Sequence, residues 1–177
     1  MRTVIVSVLA CAALLSAAEP ALPRRSPPFS ILLADGAKPL TLAGYRGKVV
    51  ALIFISTTCP HCQALTKELV PMAKEYAPRG VQFLECAVNP DAKDSVKGFV
   101  REFQPPFPVG YNTQDAVNAY LRRSILLTFY VPHVVFLDRS GMIVADFEGE
   151  SDFIKNPATN TRVELDKLLK APAPAAK

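Results

Sequence analysis

The sequence contains few of the side chains that hold metal ions. Its 177 residues include four cysteines and two histidines, and Cys59 and Cys62 are the cysteine pair with two intervening residues. Zinc sites use that spacing, but a structural zinc site needs four ligands, and neither a second such pair nor two closely spaced histidines follow. The cysteine pair is therefore not explained by a structural zinc site.

Extended runs of positive charge are also missing. The formal net charge is +4, and the longest basic runs are the dipeptides Arg24-Arg25 and Arg122-Arg123, neither of which is interleaved with aromatic residues. This distribution is typical of a solvated surface, so no nucleic-acid partner is expected. Since 50% of the residues are apolar, the chain can build the core of one domain without disulfide staples.

The N-terminal apolar segment is too short for an ordinary membrane span. It runs from Val4 to Leu15, whereas a transmembrane helix needs roughly 20 residues. Arg2 precedes it and Ser16-Ala17-Ala18 follows it, which is the pattern of a signal peptide over residues 1–18 that is cleaved near Ala18. An uncleaved membrane anchor is the alternative. Export places the protein in the periplasm or another extracytoplasmic compartment, where disulfides persist.

The mature chain divides into a Pro-rich linker, an α/β domain and a tail. Residues 19–28 hold four prolines and are predicted to form an extended tether, residues 29–170 the domain, and residues 171–177 a disordered tail. A last helix is predicted to begin at a capping box formed by Thr161 and Glu164. The other predicted elements are strands at 29–34, 49–56, 81–88, 107–111, 133–137 and 142–147, and helices after Cys62, at 91–103 and at 113–121.

The tetrapeptide Cys59-Pro60-His61-Cys62 follows a continuous apolar strand and opens a helix. Two thiols at that spacing can close a small disulfide, and the helix N-terminus favours the thiolate that thiol exchange requires. The pattern predicts a dithiol redox centre. We expect Cys59 to be the nucleophile and Cys62, one turn further in, to be the resolving thiol.

Three further segments carry a family resemblance: Gly47-Lys48-Val49-Val50, Phe107-Pro108-Val109 and the run from Val131 to Gly141. Together with the cysteine motif they resemble the exported TlpA/ResA-like branch of the thioredoxin superfamily, over about residues 29–170. The resemblance implies a thioredoxin-like fold: a central mixed β-sheet flanked by helices, with a TlpA-type strand-helix insert and an N-terminal strand extension.

The resemblance also implies roles beyond the cysteines. Pro132 is expected to be a cis-proline beside the cysteine pair, with the backbone of Val131 and the side chain of Pro60 contacting an extended substrate. The expected partners are protein thiols or disulfides and an unidentified redox partner, with a membrane-bound one left open. No cofactor or metal is expected, and a monomer is the expected state.

Two departures from the family bear on the direction of electron flow. Family members carry a buried acid at one of two positions that here hold Ile53 and Leu65, which argues against a reductase. The Pro60-His61 dipeptide resembles DsbA, a strong oxidant at about −120 mV against about −270 mV for thioredoxin. The sequence therefore predicts a centre more oxidising than thioredoxin, with His61 among the catalytic residues.

Glu85 and Cys86 are neighbours on a predicted core strand. The structural expectation is that Cys86 is a buried, inert thiol. Glu85 would then point to the opposite face. Whether that face lies near Cys62, where the carboxylate could replace the missing acid, stays open, and the environment predicted for Glu85 is a solvated strand edge.

Two other functions stay open. A copper chaperone would use Cys59, Cys62 and His133, since thiolates and imidazole suit Cu(I). A peroxiredoxin would need a proline seven residues before Cys59, where this chain has Leu52.

Overall fold

The computed structural model describes residues 20–171. The predicted signal peptide lies outside the described residues, as does the predicted tail beyond Ala171. Within the described part of the chain, no helix combines the length and apolar character that a membrane crossing requires.

Strands and helices alternate through most of the described chain. The strands are β1 (Arg24–Arg25), β2 (Ser30–Ile31), β3 (Leu40–Thr41), β4 (Val49–Ile55), β5 (Val81–Ala87), β6 (Val109–Tyr111), β7 (His133–Leu137) and β8 (Met142–Phe147). The α-helices are α1 (Pro60–Tyr76), α2 (Ala92–Phe103), α3 (Gln114–Leu121) and α4 (Pro157–Lys170).

Six strands form the central sheet in the order β1-β8-β7-β4-β5-β6, and β2 pairs with β3 in a separate hairpin. β4 lies in the middle, parallel to β5 and antiparallel to β7. All seven of its residues are buried, as expected for a strand whose sheet is covered on both faces. The predicted α/β class with a mixed central sheet is confirmed.

Two apolar cores lie on opposite faces of the sheet. Alternate residues of β4, such as Ile53 and Ile55, pack against α1, α2 and α4. The intervening residues, such as Leu52 and Phe54, pack against α3 and the segment around β2. Helix α1 therefore covers one face only, and the cysteine motif at its start belongs to that side.

The folded part of the chain begins earlier than predicted. β1 lies inside the segment expected to be a tether and pairs antiparallel with β8, Arg24 opposite Ile143. The Arg24 side chain is 7% exposed and donates a hydrogen bond to the carbonyl oxygen of Leu121 at 3.3 Å. A two-residue strand at a sheet edge tolerates flanking prolines, because only one side of it pairs.

Helix α4 begins at Pro157 rather than at Thr161, so the predicted capping box is wrong. Proline suits the first position of a helix because its missing N–H has no partner there in any case. Thr161 instead lies within the helix and is 1% exposed.

Candidate redox site

Cys59 occupies the N-cap position of α1, directly after the loop that follows β4. Its N–H donates to the carbonyl oxygen of Ser56 at 3.1 Å, and its own carbonyl accepts from the N–H of Gln63 at 3.0 Å. Pro60 takes the first helical position, which suits proline. The thiol is therefore held by backbone geometry at the positive end of the helix dipole.

The two cysteines differ sharply in exposure. Cys59 is half-buried, whereas Cys62 is 0% exposed, and both are free thiols. Burial is the main cause that raises the pKa of the Cys62 thiol well above its usual range; a hydrogen bond with the Ser56 backbone opposes the shift, and the charge of Cys59 adds to it. A substrate can thus reach Cys59 first, while Cys62 stays protonated until its environment changes.

Val131 and Pro132 lie next to this pair. The Val131–Pro132 peptide bond is cis, Pro132 is buried, and the Cys59 thiol lies 3.9 Å from the carbonyl oxygen of Val131, to which it donates a weak hydrogen bond. The two segments predicted to form the site are brought together.

Pro60 and His61 lie on the first turn of α1, beside Cys59. Both are exposed, so their side chains are accessible to an incoming molecule. The geometry leaves His61 free to approach a sulfur or a substrate.

His133 does not join the cysteines, so the copper set is not assembled. Its ring stacks on Phe129, with centroids 5.3 Å apart, and its Nε2 lies 2.5 Å from Oδ1 of Asp146. His133 directly precedes Val134, which packs on the α1 face. Consecutive side chains of a strand point to opposite faces, so His133 points to the other side of the sheet. No group of three metal-binding side chains occurs within residues 20–171.

Glu85 is a functional candidate whose place the sequence prediction had wrong. It is 0% exposed, not solvated at a strand edge. Its partner on β4 is Ile53, a residue that packs against α1, so the carboxyl group of Glu85 faces the same helix. There the hydroxyl of Thr66 donates a hydrogen bond to Oε1 of Glu85 at 2.8 Å. β5 is an interior strand between β4 and β6, so Glu85 does not lie at a sheet edge, and α1 covers the face that it occupies.

The buried carboxyl group influences the buried thiol. Burial raises the pKa of Glu85 to about 8, against a smaller lowering by the Thr66 hydrogen bond. The charge of Glu85 is in turn one of the causes that raise the pKa of Cys62. Two signals in the sequence could have revealed this pairing: Glu85 shares strand parity with Phe83 and Ala87, and Thr66 lies one helical turn after Cys62.

Cys86 lies on the face away from the site and is 0% exposed within the second core. Burial raises the pKa of its thiol above the usual range. The prediction of a buried thiol is confirmed.

Comparison with known proteins agrees with this fold. A family model described as Redoxin matches residues 22–161. Thiol-disulfide oxidoreductase ResA of Bacillus thuringiensis subsp. konkukian is 25% identical over 155 residues, covering 85% of this chain and 78% of ResA. The chain belongs to the redoxin family.

Solved structures show the same architecture. A thiol:disulfide interchange protein of the thioredoxin family from Chlorobium tepidum superposes with a TM-score of 0.69 at 25% identity, covering 85% of this chain and 99% of its own. A secreted Mycobacterium tuberculosis disulfide oxidoreductase, described as homologous to DsbE, superposes with a TM-score of 0.58 at 20% identity. The superposition covers 76% of this chain and 95% of the Mycobacterium chain. The predicted TlpA/ResA-like resemblance, the thioredoxin-like fold and the assignment as a thiol-disulfide oxidoreductase are confirmed.

Proposed function

We propose that the protein is an exported oxidoreductase that exchanges disulfides with protein substrates through Cys59 and Cys62, with Cys59 as the attacking sulfur. The observation that carries this assignment is the contrast between the two thiols. Cys59 is half-buried at a helix N-terminus, whereas Cys62 is fully enclosed. An accessible thiolate and a shielded partner suit a two-step exchange.

In the reducing direction, the Cys59 thiolate attacks a substrate disulfide and forms a mixed disulfide, while the displaced substrate sulfur leaves as a thiolate. Cys62 then loses its proton and attacks the Cys59 sulfur. The Cys59–Cys62 bond forms, the bond to the substrate breaks, and the substrate leaves fully reduced. The oxidising direction reverses these steps and transfers two electrons from the substrate to the pair.

The substrate contact is proposed to involve Val131, Pro132 and Pro60. The carbonyl group of Val131 faces Cys59, so an extended peptide could pair with this backbone while its sulfur meets the thiol. The loop just before it exposes Ile125, Leu126 and Leu127, with 73%, 89% and 57% of their surfaces accessible. These side chains suit contact with the apolar side chains of an unfolded protein substrate.

For the direction of electron flow we propose a pair more oxidising than thioredoxin. A cation or ring donor such as His61 beside the Cys59 sulfur stabilises the thiolate, and a stabilised reduced form makes the disulfide a better oxidant. The apolar residues Ile53 and Leu65 no longer support this direction, since Glu85 supplies a buried acid. The proposal therefore depends on the Pro60-His61 dipeptide.

Export and partners complete the proposal. The N-terminal pattern supports a cleaved signal peptide over residues 1–18 and action in the periplasm or an equivalent compartment. The chain then works as a monomer, and a separate redox partner, soluble or membrane-bound, regenerates the pair.

A peroxidase function has no comparable support. The position of the peroxiredoxin proline holds Leu52, whose side chain is buried in the core on the face away from α1.

Trapping of the mixed disulfide tests the assignment of the two thiols. The Cys62→Ser variant should accumulate a mixed disulfide at Cys59 with a reduced, unfolded substrate protein after activation by glutathione disulfide, as read by mass spectrometry. The Cys59→Ser variant is the matched control and should accumulate none, because its remaining thiols, Cys62 and Cys86, are both buried. Equal trapping by both variants would contradict the roles proposed.

A further inference from the structure

Glu85 sits where a carboxyl group can serve the buried thiol. Ile53, its in-register neighbour, occupies a position at which family members carry a buried acid. Side chains at paired positions of parallel strands project from the same face. Glu85 therefore presents its carboxyl group to α1 from one strand further along the sheet.

Thr66 connects this carboxyl group to the helical turn of Cys62. Its hydroxyl lies 2.8 Å from Oε1 of Glu85 and 3.0 Å from the carbonyl oxygen of Cys62. A threonine hydroxyl has one proton to donate and can also accept. When Glu85 is protonated, both contacts are satisfied, because its carboxyl group donates to the Thr66 hydroxyl and that hydroxyl donates to the Cys62 carbonyl oxygen. When Glu85 is ionised, it competes with the Cys62 carbonyl oxygen for the one hydroxyl proton of Thr66.

The second carboxyl oxygen of Glu85 has spare hydrogen-bonding capacity. Oε2 is buried and has no hydrogen-bond partner within residues 20–171. Burial of an unpaired polar atom destabilises a fold, so a side chain with a structural role alone has no reason to keep one. An oxygen of this kind is available to exchange a proton.

The other elements packed around Glu85 offer it no charged partner. β4 and β6 place Ile53 and Val109 at the paired positions, and α2 buries Val96 and Phe99 on this side. The charge of Glu85 acts on Cys62 of α1, where it raises the pKa of the thiol, as does the charge of Cys59. The Cys62 thiol is therefore the candidate partner of Glu85 for proton exchange.

We propose that Glu85 accepts the proton of Cys62 during resolution of the mixed disulfide and returns it in the reverse reaction. The ionised form of Glu85 takes the proton from the Cys62 sulfur, the Cys62 thiolate attacks Cys59, and the substrate thiolate leaves. In the oxidising direction the carboxylic acid protonates Cys62 as it departs from Cys59. This role rests on the proposed dithiol exchange and adds a proton-transfer residue to it.

The raised pKa of Glu85, about 8, suits this exchange. The Cys62 thiol also has a raised pKa, and a carboxyl group of ordinary acidity would be too weak a base to take its proton. Proton transfer is most effective when the pKa of the catalytic group lies near the working pH.

Single-turnover kinetics with glutathione disulfide separate the two steps. Formation of the glutathione adduct on Cys59 is measured in the Cys62→Ser background, and its conversion to the Cys59–Cys62 disulfide is measured with both cysteines present, by acid quench and mass spectrometry. Glu85→Gln keeps the shape of the side chain and removes the carboxyl group. Glu68→Gln removes an exposed acid from α1 and is the matched control.

We expect Glu85→Gln to form the adduct at the unchanged rate and to resolve it about 10- to 100-fold more slowly at pH 7. The deficit should shrink as the pH rises, because solvent hydroxide then takes the proton. Glu68→Gln should behave as the parent protein. Ile53→Asp in the Glu85→Gln background, if it folds, should recover part of the resolution rate because it restores a carboxyl group at the paired position.

Two results would overturn the role of Glu85. One is resolution by Glu85→Gln at the parental rate; the other is a slowing of equal size at every pH, which a structural effect would give. If the parent protein forms no adduct at Cys59, or never converts it to the Cys59–Cys62 disulfide, the dithiol exchange itself is wrong. Should Ile53→Asp fail to fold, the pH profile of Glu85→Gln decides alone.

Discussion

Ile53 and Glu85 are in-register partners on the parallel strands β4 and β5, and both side chains face helix α1. An apolar residue at the first position and an acid at the second give the site a buried carboxyl group through a different strand. The absence of an acid at Ile53 and Leu65 is therefore no argument about the direction of electron flow.

The buried acid should make the stability of the protein depend on pH. The pKa of Glu85 is about 8 in the folded protein, against an ordinary value of 4.5, so between these values the folded state holds a proton that the unfolded state has released. The free energy of unfolding must therefore fall as the pH rises from about 4.5 to 8. Urea denaturation of the reduced protein at pH 5 and pH 8 measures this fall.

The Glu85→Gln variant isolates the contribution of the acid. Glutamine does not titrate, so the free energy of unfolding of the variant should fall less than that of the parent protein over the same pH interval. The difference between the two free energies should grow toward pH 8. The Glu68→Gln control should keep the parental pH dependence. Parallel stability curves for the parent protein and Glu85→Gln would show that the carboxyl group titrates normally.

Gly110 marks a close approach between the N-terminal extension and β6. Leu32 and Tyr111 form an isolated antiparallel bridge, and a Cβ atom at Gly110 would overlap the Leu32 carbonyl oxygen and lie 2.5 Å from Cγ2 of Ile31. We expect Gly110→Ala to lower the free energy of unfolding by about 1–3 kcal/mol, as overpacking does.

Gly98→Ala is the matched control, because that glycine lies inside α2 and a Cβ atom added there would meet no other atom within 4 Å. It should raise the free energy of unfolding by about 0.5–1 kcal/mol through helix propensity. Equal and small effects of the two substitutions would mean that the extension does not pack closely on β6.

The sequence predicted those elements whose residues carry a local pattern and missed those that depend on distant parts of the chain. The buried run of β4 and the hairpin strands β7 and β8 were predicted within a residue, since continuous apolarity and a turn at Asp138 to Gly141 are local patterns. β1 was missed because two residues carry no periodicity. Its partner β8 lies more than a hundred residues away in the chain.

The cysteine motif likewise placed Cys59 and Cys62 at the start of α1, but the burial of Glu85 depended on tertiary contacts. Strand parity placed Glu85 opposite Cys86, and that was correct. Which face meets α1, and whether β6 covers the outer side of β5, are properties of the assembled sheet. The same limit applied to His133, whose place beside Pro132 in sequence suggested a ligand although its side chain points to the other face.

His61 should set part of the redox potential. If His61 stabilises the reduced, thiolate form as proposed, the disulfide of the His61→Ala variant should be a weaker oxidant. We expect the potential to fall by on the order of 30 mV, which corresponds to a tenfold change in the equilibrium constant of this two-electron couple. Equilibration of each variant with glutathione buffers measures the shift.

Lys67→Ala is the control for this substitution, because Lys67 is an exposed cation further along α1 that packs on Phe103 instead of at the motif. Its potential should match that of the parent protein. A potential unchanged by His61→Ala, or changed equally by both variants, would leave Pro60-His61 without a role in the direction of electron flow.

The central claim is that Cys59 and Cys62 form a redox pair more oxidising than thioredoxin. Equilibration of the mature protein with glutathione redox buffers, with the fraction of Cys59–Cys62 disulfide read by alkylation and mass spectrometry, measures its potential directly. The account predicts one disulfide between these residues and a potential clearly above about −270 mV. A potential at or below that value, or an equilibrium in which the two cysteines never pair, would contradict it.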